Sequence, residues 1–456
     1  MSNQAPAGAV KKEVRFSNRE LVALIAPMVA EQFLAILVGL ADSLMVATVG
    51  DASISAVSLV DSISNLMIYI FSAMAAGGAA VAGQYIGRRE SGSANAAGKH
   101  LVALLGVTSL SFTVLLYLFK TAILTTVFGR IEPDVMAATD KYYSIVMASI
   151  PAIALYNGGA AIFRTMERSD VSLKVSLLMN GINVTGNALL IFGFHMDVAG
   201  VAIPTLVSRT VAAAVILALL LNGKLPLNLR GIRAFRPNAR MLHNIFYISI
   251  PSGMENGMFH MGRLILFSLV SSFGTASIVA NAIGNTLGNF HCFAGQAMSL
   301  GVTTVISQCV GAGDYHAARY YLRKLLLAGY ALMSAVNLLL IALMPVIMRV
   351  YDVSPEARHL AVIVSLIHGV AAIFLWLPSF MLPAFLRASG DAAFTMLASM
   401  LTMWLCRVCL AFVFGKLMGY GVIGVWVAHS IFDWTVRSIV FYARYRSNVW
   451  TKKAIQ

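Results

Sequence analysis

Residues 20–47 read ELVALIAPMVAEQFLAILVGLADSLMVA, and residues 244–271 read NIFYISIPSGMENGMFHMGRLILFSLVS. Each exceeds the roughly 20 apolar residues that an α-helix needs to cross a bilayer. Laid over each other, 224 residues apart, Pro27 falls on Pro251 and Glu31 on Glu255. The register holds into the next stretch without a gap. Gly50, Ala52, Ser53, Ile54 and Ala56 meet Gly274, Ala276, Ser277, Ile278 and Ala280, Asn65 meets Asn289, and Gln84 and Gly87 meet Gln308 and Gly311. An alanine-rich chain matches itself by chance. Proline, glutamate, asparagine and glutamine agreeing at one offset mark a duplication.

Working outward, the 456 residues are 59% hydrophobic and 11% charged. A soluble domain carries roughly 25% charged residues, so most of this chain has no face turned to water. Apolar stretches run approximately 20–47, 53–86, 100–127, 142–163, 173–194, 198–221, 244–271, 276–309, 324–348, 360–385, 393–415 and 421–443. The expected fold is therefore an all-α polytopic membrane protein with twelve transmembrane helices. An even number of spans per repeat gives two six-helix bundles related by a pseudo-two-fold axis along the membrane normal. The expected layout is a tail 1–19, an N-lobe 20–221, a linker 222–243, a C-lobe 244–443 and a tail 444–456.

The net charge is +14. In a soluble chain that balance would suggest nucleic acid; here the basic residues fill short loops, so no nucleic-acid partner is expected. With the N-terminus placed inside, inside segments hold 23 of the 33 Lys and Arg residues and outside segments hold six. Arg209, Arg263, Arg407 and Arg437 are the four within spans. That bias puts both termini in the cytoplasm, in a multi-pass protein of the plasma (inner) membrane. The first apolar stretch reads as a retained span, not a cleaved signal peptide. Cys292, Cys309, Cys406 and Cys409 lack metal or disulfide spacing and read as small core residues.

Ionisable groups inside spans are expensive, so they are the informative ones. Glu31 and Asp42 are eleven residues apart, about three turns, on one helix face. Two carboxylates without a base in the same span suit H⁺ or Na⁺. Asn180, Asn183 and Asn187 share a face of the fifth span, and Thr205 in the sixth adds a neutral oxygen; hard cations take such ligands. Asp61 and Asn65 form an i, i+4 pair, and Asn281, Asn285 and Asn289 form a polar stripe that Gln296 continues. These stripes read equally as pathway lining or as interhelical glue. Glu255, His260 and Arg263 lie in the seventh span, Arg407 in the eleventh, and His429, Asp433 and Arg437 in the twelfth. Asp433 and Arg437 can pair within one helix, and Glu255 can meet Arg407 or Arg263 across helices. Asp61, Asn65, Glu255, His260, Arg263, Asn285, Asn289, Arg407 and Asp433 are thus the candidate substrate pathway.

Here the chain resembles the multidrug and toxic compound extrusion (MATE) family, in its bacterial DinF-like branch, from about Leu21 to Arg444. The 6+6 repeat carries the resemblance with Ala41-Asp42-Ser43-Leu44-Met45-Val46, Gly83-Gln84-Tyr85-Ile86-Gly87 and Pro251-Ser252-Gly253-Met254-Glu255-Asn256. Gln308-Cys309-Val310-Gly311-Ala312-Gly313 and Arg387-Ala388-Ser389-Gly390-Asp391 complete it. It implies a secondary active antiporter that exports small organic or xenobiotic compounds by alternating access, driven by H⁺ or Na⁺, with no cofactor and no enzymatic activity. It also implies that Asp42 couples the ion, with Asn180 and Thr205 as polar members of its site. Asn187 stands where many relatives have aspartate, which weakens Na⁺ binding and shifts weight to H⁺ through Asp42 and Glu31. The charged second half points to anionic or zwitterionic compounds. A monomer in the lipid bilayer is expected. The competing readings are a lipid-linked precursor flippase of the same superfamily and an intramembrane enzyme. The latter lacks an HExxH or GxSxG pattern.

Overall fold

The computed structural model describes residues 16–128, 132–232 and 236–455. Basic residues Lys11, Lys12, Arg15, Arg130 and Arg233 lie outside the described residues, as does Gln456. Among the described residues there is no strand.

The first half contains α1 (Asn18–Ala47), α2 (Asp51–Gly87), α3 (Ser91–Leu118), α4 (Pro133–Met147 and Ile150–Thr165), α5 (Ser169–Gly193) and α6 (Ala199–Leu220). A short helix, Lys120–Phe128, extends α3. The second half contains α7 (Ala239–Ser271), α8 (Thr275–Gly311), α9 (Tyr315–Val350), α10 (Pro355–Ala388), α11 (Ala392–Leu417) and α12 (Gly421–Arg446). α1 begins with a capping box, Ser17 and Glu20 satisfying each other's backbone amides, and runs on through Pro27.

Eight of these helices are long and apolar enough to cross a membrane, and the bent α4 pair makes nine. The other three, α7, α8 and α12, carry the asparagine stripe and the Glu, His, Asp and Arg residues. Polarity is tolerated within a bundle only where it faces protein or a water-lined cavity, and these helices line the cavities described below.

Irregularities repeat as the sequence does. α4 bends by 41° after Met147, and α10 winds as a π-helix over Ala372–Trp376, the corresponding place. Leu189–Gly193 and Phe412–Leu417 are both π-wound. Pro204 in α6 corresponds to Ala428, where α12 becomes π-wound. The π turns at Met403–Cys409 have no counterpart in α5. Cys292 and Cys309 are buried as expected, but Cys406 is half-buried and Cys409 exposed on this irregular stretch.

The lobes close on each other at the end that holds the described termini and linker. Leu21, Leu24 and Met28 of α1 join the C-lobe core, and Met241, Ile245 and Ile248 of α7 join the N-lobe core. α2 and α8 cross so closely that a Cβ on Gly87 would overlap the Gln308 carbonyl, and one on Gly311 the Gln84 carbonyl. Only glycine permits such backbone approach. Gln84 Nε2 donates to the Ala388 carbonyl at 2.8 Å, and Gln308 Nε2 to the Thr165 carbonyl at 3.1 Å. The seam therefore has the two-fold symmetry of the sequence.

Candidate functional site

In the N-lobe, α1 delivers Asp42 against α5. Asn187 Nδ2 donates to Asp42 Oδ1 at 2.8 Å. Asn183, with its nitrogen turned to the carboxylate, reaches both Asp42 oxygens at 3.0 Å, and its carbonyl accepts from Thr205 Oγ1 at 3.2 Å. The i, i+4 spacing of Asn183 and Asn187 brings both amides to one carboxylate. Asn187 is fully buried, and its Oδ1 has no hydrogen-bond partner. Asp61 joins this group and does not line the main cavity: Tyr142 Oη donates to its Oδ1 at 3.3 Å. Arg209, anchored by Ser149 at 2.8 Å, is close enough for its charge to act on Asp42 and Asp61.

Glu31 stands apart from Asp42, about 16 Å further along α1 by helical rise. Its oxygens receive Tyr156 Oη at 3.2 Å and Ser172 Oγ at 3.0 Å, with Arg164 Nη1 3.6 Å away. Asn180 bonds Ser176 at 3.4 Å, one turn from Asn183 on the way to that group. The C-lobe repeats the arrangement. Glu255 accepts from Arg387 Nη1 at 3.1 Å and from Ser399 Oγ at 2.6 Å, and lies 3.6 Å from Arg437. Its partners are therefore Arg387 and Arg437, neither Arg407 nor Arg263. Arg164 and Arg387, counted by sequence among inside loops, sit in the last turns of their helices and reach back to the glutamates.

Two of the cavities lined by both lobes hold the ionisable span residues. The larger, about 630 Å³, is lined by Asn65, His260, Arg263, Asn281, Asn285, Arg407 and His429 among polar groups. The smaller, about 290 Å³, holds Glu255, Arg387 and Arg437. Arg263 Nη2 reaches Asn285 Oδ1 at 3.4 Å, and Trp426 Nε1 donates to Asn281 Oδ1 at 3.1 Å. Tyr69 of α2 packs on His260 across the lobes, with ring centroids 4.4 Å apart. Asn289 and Gln296 are exposed and line neither cavity. Asp433 is fully buried, yet neither of its oxygens has a hydrogen-bond partner, so no Asp433–Arg437 bond forms along α12.

Behind His429 lie two histidines that the sequence did not single out. His368 is 5.5 Å from His429 and 5.8 Å from His291, ring to ring. His368 Nδ1 is 2.9 Å from Ser430 Oγ, and His291 Nδ1 2.6 Å from Asn337 Oδ1. His291 lies between Asn289 and Gln296 but outside the i, i+4 spacing of the asparagine stripe, and His368 stands in an apolar stretch, so no spacing betrays the group. Arg164 and Arg387 match each other across the repeat one residue out of the glutamates' register, which relates the two arginines but does not tie either to its glutamate.

A two-lobed helical bundle with polar groups between its lobes defines a membrane transport protein. The chain belongs to the MatE family, whose model matches residues 27–189 and again 251–413, so the family unit occurs twice at the offset of the sequence repeat. It is a secondary transporter that exports compounds, and not an enzyme. It is 26% identical to the uncharacterized transporter YisQ of Bacillus subtilis, covering 95% of each chain. It is 22% identical to the probable multidrug resistance protein NorM of Thermotoga maritima, covering 98% of this chain and 96% of that one. Among solved structures it resembles an outward-facing multidrug resistance MATE transporter of the MOP superfamily, at 18% identity and a TM-score of 0.88. That match covers 95% of this chain and 96% of the other.

Proposed function

We propose that this protein is a proton-coupled antiporter that exports small organic compounds by alternating access, with Asp42 as the proton-exchanging group. The setting of Asp42 carries the reading. It is held by two amide donors, from Asn187 and Asn183. A carboxylate at membrane depth costs roughly 3 kcal/mol or more when charged, so taking up a proton there is a strong local event. Asn187 turns its nitrogen, not its oxygen, to the carboxylate, whereas a hard cation needs converging oxygens. Sodium is the second reading, favoured by the buried, unpartnered Asn187 Oδ1. Glu31, engaged by Arg164, serves to hold α1 against α4 and α5.

Relatives named as multidrug resistance proteins support small organic, including xenobiotic, substrates. The lysine and arginine bias supports a plasma-membrane protein with cytoplasmic termini and the 222–243 segment as a cytoplasmic linker between a 20–221 and a 244–443 lobe. The closed seam at that end is then the inner gate, and a monomer suffices for the cycle. Proteoliposomes with an imposed pH or Na⁺ gradient test the coupling. Substrate-induced proton flux that persists without Na⁺ is expected; flux that requires Na⁺ and moves no protons overturns proton coupling.

A further inference from the structure

The larger cavity is lined by Arg263, Arg407, His260 and His429, and none of its described lining residues is a carboxylate. Arg407 is only 9% exposed, and its Nε has no hydrogen-bond partner. Across the C-lobe spans, Arg263, Arg387, Arg407 and Arg437 outnumber Glu255 and Asp433 by two. Glu255 is already held by Arg387 and Arg437 in the smaller cavity, which leaves Asp433, among the described residues, as the one carboxylate whose charge acts on Arg407, so Arg407 and Arg263 together keep a net positive charge at the larger cavity. Buried charge at membrane depth is costly unless an opposite charge meets it.

The repeat sets this cavity against the Asp42 group of the other lobe. At the offset of 224, Thr205 corresponds to His429, Asn183 to Arg407, Asp61 to Asn285 and Asp42 to Leu266. Where the N-lobe gathers a carboxylate with neutral ligands, the C-lobe has exchanged the carboxylates for leucine and asparagine and two neutral ligands for bases. Arg407 lies in the π-wound turns that α5 lacks. Such turns redirect side chains and recur at functional sites.

Resting on the transporter reading, we infer that this cavity is the substrate site for amphipathic organic anions, a carboxylate or sulfonate carried on an aromatic or alkyl body. The guanidinium groups of Arg407 and Arg263 receive the anionic head, since their fork matches carboxylate and sulfonate oxygens. The body lies against Leu66, Met67, Leu116 and Ile123 on the N-lobe side, with Trp426 opposite. A volume of about 630 Å³ falls within the usual range for small-molecule sites. Antiport then exchanges a proton at the acidic lobe for an anion carried out from the basic one.

The test uses the full chain in nanodiscs and two probes of the same ring, naphthalene-2-sulfonate and 2-naphthyltrimethylammonium, with binding measured calorimetrically. The sulfonate should bind at least about tenfold more tightly than the cation, and Arg407→Gln should weaken it by about tenfold or more. Arg407→Lys should recover part of that loss, and Arg263→Gln, at an exposed position that leaves the core untouched, should weaken binding severalfold. Equal or tighter binding of the cation overturns the inference, as does sulfonate binding indifferent to both arginines. Transport in proteoliposomes separates the two claims. If a pH gradient moves the cation while the sulfonate is neither bound nor moved, the anion site falls and the exporter reading stands. If the sulfonate binds through Arg407 but no ion gradient moves either probe, the exporter reading falls and the site stands.

Discussion

Asn187 presents its amide nitrogen to Asp42 at 2.8 Å and keeps its own oxygen buried without a partner. On the proposed reading this residue selects the ion that the N-lobe holds. Asn187→Asp puts a second carboxylate beside the first and exchanges a donor for oxygen ligands. Two carboxylates so close share a proton or recruit a cation. The variant should acquire Na⁺-stimulated export at a pH where the parent ignores Na⁺. Transport of the variant that remains independent of Na⁺ would show that this position does not select the ion.

The two glutamate–arginine pairs differ in redundancy, and stability measurements will separate them. Among the described residues Glu31 has Arg164 alone as a base, whereas Glu255 lies between Arg387 and Arg437. Removing one partner of a buried pair strands the other, at about 3 kcal/mol. Arg164→Met should therefore lower the melting temperature in detergent clearly. Glu31→Gln combined with Arg164→Met should recover more than half of the loss. Arg387→Met should cost less, because Arg437 remains. Equal losses in the two single arginine variants would contradict this asymmetry.

Gly87 and Gly311 set the distance between lobes at the seam. A Cβ on Gly87 meets backbone, the Gln308 carbonyl, so no rotamer change relieves it. Overpacking of this kind costs about 2 kcal/mol, enough to shift a two-state balance by roughly thirtyfold. Gly87→Ala should disfavour the state closed at this end. With Ser307→Cys, buried opposite Gly83, as reporter, thiol labelling should accelerate in the Gly87→Ala background. Unaltered labelling would mean that the glycines do not control closure.

Much of this architecture was legible before any coordinate. The offset that pairs Pro27 with Pro251 and Gln84 with Gln308 reappears as the two-fold seam, because glutamine side chains at matched positions must find matched carbonyls. That Asn183 and Asn187 share a face was legible too, since i, i+4 spacing puts amides on one side of a helix; the link of this face and Thr205 to Asp42 came from the family resemblance. The partner of Glu255 was not: Arg387 is more than a hundred residues away, at a helix end that hydropathy assigns to a loop. Asp61 read as cavity lining, because spacing along α2 reveals its neighbour Asn65 but not Tyr142 on α4. Sequence also could not bring His291 and His368 to His429, which depends on packing among α8, α10 and α12.

The seam should respond to pH through Glu167, in the loop between α4 and α5. It accepts from Gln308 Nε2 at 3.1 Å. Although the residue is exposed at its edge, partial desolvation at the seam raises its carboxyl above the ordinary glutamate range, outweighing that hydrogen bond. A raised carboxyl favours the closed seam fully at pH below the ordinary value of 4.5, and the contribution is lost as pH rises through the raised value. Seam closure, read by the same Ser307→Cys labelling, should weaken over that rise. Glu167→Gln should flatten the dependence, and an unchanged profile in that variant would assign it elsewhere.

The most direct test is substrate-driven proton movement in proteoliposomes containing the parent chain or Asp42→Asn, each shown to be folded by its melting transition. The parent should release protons on the side where substrate is taken up, with transport accelerating as the pH gradient steepens. Asp42→Asn should retain substrate binding while losing the gradient response. Gradient-driven transport persisting at the parental rate in Asp42→Asn would remove Asp42 from the coupling and contradict the account.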